Sequence, residues 1–142
     1  MKTSFSILTF LTITTLSTFG QIKKCDVTTV SYTSKKVGQL TKDDIRTFLL
    51  TLGAECESNI EFGEFSNEVL FLVLDKHTEL TLKTIESEKR QIELDEILSI
   101  LSSPVNDGID VKRLIPKVEN VKFDRRLKKQ VLDSLRVALT RM

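Results

Sequence analysis

The sequence predicts an all-α protein of five to six helices, forming a compact bundle or a short solenoid behind an extended N-terminal arm. Three observations predict it. Five glycines and two prolines in 142 residues are too few for a multi-stranded sandwich, which needs turn residues every ~8–12 positions. Apolar residues recur at helical spacing in several separate stretches, with capping residues before them and Gly or Pro after them. A composition of 40% hydrophobic and 29% charged residues is that of a globular domain, which excludes disorder of the whole chain.

The first segment reads as an export signal. Met1 and Lys2 are followed by Thr3 to Ile22 without a charge, around a short apolar core of Phe5, Ile7, Leu8, Phe10, Leu11, Ile13 and Leu16. Thr18 and Gly20 are the small residues that a cut after Gly20 requires. A run this long could span a bilayer, but its many Ser and Thr residues make it too polar for a comfortable permanent anchor. Lys23 and Lys24 before Cys25 disfavour a lipid anchor there. The Thr/Ser-rich core ending in Phe-Gly-Gln resembles secretory signal peptides of gram-negative bacteria. Residues 1–20 are therefore expected to be removed, placing the protein in the periplasm or outside the cell.

Residues 21–39 are expected to be an extended arm, because Cys25 to Ser34 is rich in Val, Thr and Tyr. Residues 40–142 are expected to form a single all-α domain. Its first helix follows Thr41 as cap, with Asp43 and Asp44 in the positive first turn, Ile45, Phe48, Leu49 and Leu52 on one face, and Gly53 as stop. The next is expected to start at Ser66 and to be buried all round, from Val69 to Leu74. Glu79 to Glu88 reads as helix, although Leu80 and Leu82 alternate as in a strand. Glu93 to Ser102 places Leu94, Ile97, Leu98 and Leu101 on one face and Pro104 ends it. Asp110 caps a helix with Pro116 inside it, a candidate kink. Asp124 to Arg141 closes the chain with Leu127, Val131, Leu135 and Ala138 on one side.

The stretch LDEILSILSSPVNDGIDVKRLIPKVEN, within residues 93–120, resembles one unit of a HEAT-like or armadillo-like repeat. That resemblance implies a scaffold presenting a binding surface, and no catalytic residues follow from it.

Chemistry-bearing residues are scarce. In an oxidising compartment Cys25 and Cys56 favour a disulfide over a catalytic thiol or a metal site shared with His77, the one histidine. No Cys-x-x-Cys or His-x-x-x-His spacing supports zinc, and the turn around Gly108 lacks the ligands of a calcium loop. There is no nucleophile elbow and no phosphate-binding glycine loop. The sequence thus assigns no catalytic, cofactor-binding or metal residues. Its 21 basic against 20 acidic side chains argue against nucleic acid as partner, and another protein is expected instead.

Charge distribution carries the functional reading. An acidic loop with Glu55, Glu57, Glu61 and Glu64, interleaved with Phe62 and Phe65, could dock a basic protein, aromatic anchors supplying energy and charges the steering. The competing reading has both phenylalanines covering the core. Arg125, Arg126, Lys129 and Arg136 form a basic face on the last helix, which could lie weakly on an anionic membrane. A protein-binding module, in one form an inhibitor or immunity protein, is the first expectation. A carboxylate-dependent hydrolase of cell-wall or extracellular sugars is the second, since two acids could converge in space.

Overall fold

The computed structural model describes residues 22–141, so the segment expected to be an export signal lies outside the described residues. Seven α-helices follow in order: α1 (Val27–Lys35), α2 (Lys42–Thr51), α3 (Ile60–Lys76), α4 (Thr78–Glu88), α5 (Leu94–Leu101), α6 (Val111–Asn120) and α7 (Arg125–Arg141). Short 3₁₀ turns at Val37–Gln39 and Ala54–Cys56 join the first three. No strand occurs among the described residues, and no helix there is long and apolar enough to cross a membrane.

The bundle is organised around α3, which packs against α1, α4, α5 and α6, while α2 bridges α1 and α4 and α7 covers α5 and α6. Val69, Leu70, Phe71, Val73 and Leu74 of α3 are all buried, the outcome expected for a helix apolar on most sides. They form one hydrophobic cluster with residues from Val30 to Ala138. The two helices of the repeat-like stretch, α5 and α6, both pack on α7.

Three expectations need correction. The arm is not extended: Val27–Lys35 is a helix, capped by Asp26 through Thr28 N–H and Thr29 Oγ1. The β-preference of Val and Thr is overridden because Val30 and Thr33, one turn apart, are buried and belong to the same core as the rest. This supplies the seventh helix. Second, α3 starts six residues before Ser66. Asn59 caps it by accepting from Phe62 N–H, and Phe62, Ser66, Val69 and Val73 make one buried stripe. Ser66 lies inside, its hydroxyl donating to Gly63 O at 3.2 Å. Third, the acidic "loop" is therefore largely the first half of α3. Pro116 lies within α6, which runs on through it to Asn120.

Cys25 and Cys56 form a disulfide, with Cα atoms 5.5 Å apart. It ties the residues before α1 to the 3₁₀ turn that follows α2, beside the C-terminal end of α2, where helix carbonyls lack intrahelical partners. Thr51 organises that docking. Its carbonyl accepts from Cys25 N–H at 2.9 Å, and its buried hydroxyl accepts from Asp26 N–H and donates to Lys23 O, both at 2.8 Å. The Lys24 ammonium reaches Leu52 O at 2.6 Å, favourable at the negative end of the helix.

Candidate functional site

The outward stripe of α3 carries Glu61, Glu64, Glu68, Leu72 and Asp75, spaced three and four residues apart so that they share one face. Glu57 precedes it at the end of the 3₁₀ turn. Glu57, Glu61, Glu64 and Glu68 are all exposed, and none has an ion-pair partner among the described residues. Glu55 is also exposed and unpaired in this sense. Only Asp75, at the far end, is neutralised: Arg113 and Lys117 of α6 each reach it at 2.8 Å. Burial pushes the Asp75 carboxyl up, but the Lys117 hydrogen bond and the charges of Lys117 and Arg113 outweigh it and hold the group below the usual range.

The aromatic anchors expected on this face are withdrawn. Phe62 is 2% exposed and sits in the core, and Phe65 is half-buried against it. The reason is the earlier helix start, which turns Phe62 inward with Ser66 and Val69. Ile60, 72% exposed, is the apolar residue this face presents instead. The sequence places Ile60 among the apolar residues interleaved with these acids, but only the two phenylalanines were expected to anchor a partner.

Beside the stripe runs a groove of about 330 Å³ between α3 and the start of α6. Phe71, Leu72, Ile109 and Leu114 give it an apolar floor, and Glu68, Asp75 and Arg113 stand at its rim. Two sets of contacts tie its walls together. At one end the Asn67 amide, buried, donates to Ser103 O and accepts from Val105 N–H. At the other lies the Asp75 ion pair. Sequence periodicity could not show this groove, because its walls are 38 residues apart.

A second acidic cluster gathers at the start of α5. Glu93 accepts from the Lys24 ammonium at 2.7 Å and from Ala54 N–H at 2.9 Å, contacts that keep its carboxyl low. One turn on, burial and then the charges of Glu57, Glu93 and Glu55 push Glu96 up. Both line an open hollow of about 600 Å³ with Ala54, Lys89 and Asp95. Among the described residues no cluster of His, Cys, Asp and Glu has the arrangement of a metal site. His77 joins α3 to α4 and bonds through Nε2 to Val37 O, a structural contact.

On α7, Arg125, Arg126, Lys129 and Arg136 are exposed as expected. Asp133 engages Lys129 at 2.6 Å and Arg136 at 3.4 Å, and Glu119 lies 3.5 Å from Arg136. Arg125 and Arg126 have no ion pair among the described residues. Leu127, Val131, Leu132, Leu135 and Ala138 are buried, so the apolar side that a membrane helix would insert is already covered by protein.

These features define a small disulfide-pinned helical protein with an acidic face and an adjoining apolar groove. Comparison with protein-family models, with curated proteins and with solved structures finds no match.

Proposed function

We propose that this chain is an exported binding module that recognises a basic protein through the outward stripe of α3, in one form as an inhibitor or immunity protein for a secreted enzyme. The observation that carries this reading is the run Glu57, Glu61, Glu64 and Glu68, exposed and without an ion-pair partner among the described residues of a chain with 21 bases. Like charges three and four apart on a helix each cost about 0.2–0.5 kcal/mol. A basic partner would relieve that repulsion and be steered by it. The test is affinity capture from an exported-protein extract with wild type and with E57K/E61K/E64K. A partner retained by wild type and lost by the triple variant supports the reading; identical capture by both removes the stripe from it.

A second reading, a carboxylate-dependent hydrolase of extracellular sugars, is favoured by one observation. Glu96, pushed up, and Glu93, held down, line the same hollow, and carboxylates driven apart in this way suit acid and base roles. Turnover of cell-wall fragments or chromogenic glycosides that E96Q abolishes would establish it, and no turnover by wild type would dismiss it.

A further inference from the structure

We infer that the groove between α3 and α6 takes one apolar side chain of an extended basic segment, whose neighbouring cations lie along Glu68 and Glu64. This rests on the acidic-stripe reading and specifies what that stripe recognises.

The groove's charges decide which occupant fits. Asp75 is neutralised by Arg113 and Lys117, and Asp110 is engaged as the cap of α6, accepting from Arg113 N–H at 3.0 Å. Glu68 receives one neutral donor, the Asn106 amide at 2.6 Å, and keeps its charge for a ligand. Glu64 lies one turn further up the same stripe, also uncompensated. An apolar floor edged on one side by free carboxylates is complementary to an apolar side chain followed by cations.

Spacing fixes the pattern. Along α3, Leu72 to Glu68 is four residues and Leu72 to Glu64 is eight, which at ~1.5 Å per residue is about 6 and 12 Å. An extended peptide advances about 6.6 Å every two residues and keeps those side chains on one side. A segment of the form apolar-x-basic-x-basic therefore sets its apolar residue over Leu72 and its cations on Glu68 and Glu64. Asn67 and the Asp75 ion pair tie α3 to the chain on the far side of the groove and fix the spacing of its walls.

The experiment uses the nine-residue peptide Lys-Ser-Lys-Ser-Leu-Ser-Lys-Ser-Lys, which presents the pattern in both chain directions, and its central-glycine counterpart. Each is titrated into the ¹⁵N-labelled protein. The expected result is binding of the leucine peptide about tenfold or more tighter than the glycine peptide, with amide shifts at Phe71, Leu72, Ile109 and Leu114. L72Q, on the outward side of α3, should reduce the leucine peptide to the glycine level and leave the glycine peptide unchanged. Equal affinities in wild type, abolished by E61K/E64K, would overturn the groove inference while leaving the acidic stripe in place. Absence of binding by either peptide would overturn the groove inference and count against the stripe as well. If unlabelled protein alone reproduces the groove shifts, the occupant is a second copy of this chain and the inference is again overturned.

Discussion

Removing the disulfide should cost a calculable amount of stability, part of which glycine can restore. Cys25 and Cys56 are 31 positions apart, and for a closed loop of that size the chain-entropy model gives about 3.5–4 kcal/mol. Replacing both cysteines with alanine avoids a leftover thiol and exposes that loss. Cys25 also has a φ of +56°, the one non-glycine residue described with a positive φ. A Cβ in the left-handed region costs about 1–2 kcal/mol, and alanine keeps that strain. Glycine at 25 removes it but frees the unfolded chain, returning about 0.4–1 kcal/mol of the gain. C25G/C56A should therefore be more stable than C25A/C56A by about 0.5–1 kcal/mol, although both fall below wild type. Urea unfolding of wild type, both double variants and reduced wild type measures these differences, with reduced wild type matching C25A/C56A. A loss below about 1 kcal/mol in C25A/C56A would refute the loop-closure argument. Glycine no better than alanine would refute the strain argument.

Two further outcomes follow from titrating groups. Asp75 is held below the ordinary aspartate value of 3.8, so its contribution is present above that value and is lost as pH falls through the folded-state value. D75N should lower stability at neutral pH by about 1–2 kcal/mol and flatten the acid limb below pH ~4, checked by thermal melts across pH. Glu96 has the opposite sign. Its carboxyl is raised above 4.5 by burial and by Glu57, Glu93 and Glu55, so the folded state holds the proton more tightly and stability falls as pH rises through that window. E96Q should be the more stable protein at pH 7, with the difference shrinking toward pH 4, and a lower melting temperature at pH 7 would contradict this.

Where the pattern in the sequence was local, the fold followed it. Thr41, Asp43 and Asp44 made the capping box and first turn of α2, and Leu94, Ile97 and Leu101 made the inner face of α5 because their spacing admits little else. The misreadings at α1 and at the start of α3 share a cause. In each, a local preference, β-branched residues in one and Ser66 as a helix cap in the other, was outweighed by burial of residues one turn apart. For α3 the signal was present: Phe62, Val69 and Val73 continue one helical stripe back past Ser66. For α1 it was thin, since Val30 and Thr33 are too few to show a period. The disulfide was legible from the cysteine count and the expectation of an oxidising compartment, whereas the groove was not, because it depends on how α6 lies across α3.

The near balance of 21 bases and 20 acids conceals how the charges are placed. Residues 55–99 carry twelve acids and four bases, and residues 112–142 carry ten bases and three acids, yet among the described residues only Asp75 forms an ion pair that joins these two stretches. Glu88 and Glu93 turn to Arg46 and Lys24 in the N-terminal third, and Lys129 and Arg136 are satisfied within their own segment. Folding thus leaves Glu57, Glu61, Glu64 and Glu68 on one side without an ion-pair partner among the described residues. Repulsion on an exposed stripe next to an apolar groove is lowered when a basic partner brings cations to it. Association through this face should therefore weaken steeply with salt, because charges this exposed are screened within about 8–10 Å. The apolar contribution of the groove should persist at the same salt. Measuring the leucine and glycine peptides at low and high salt separates the two: their ratio should stay constant while both affinities fall, and a ratio that collapsed with salt would place the whole interaction on the charges.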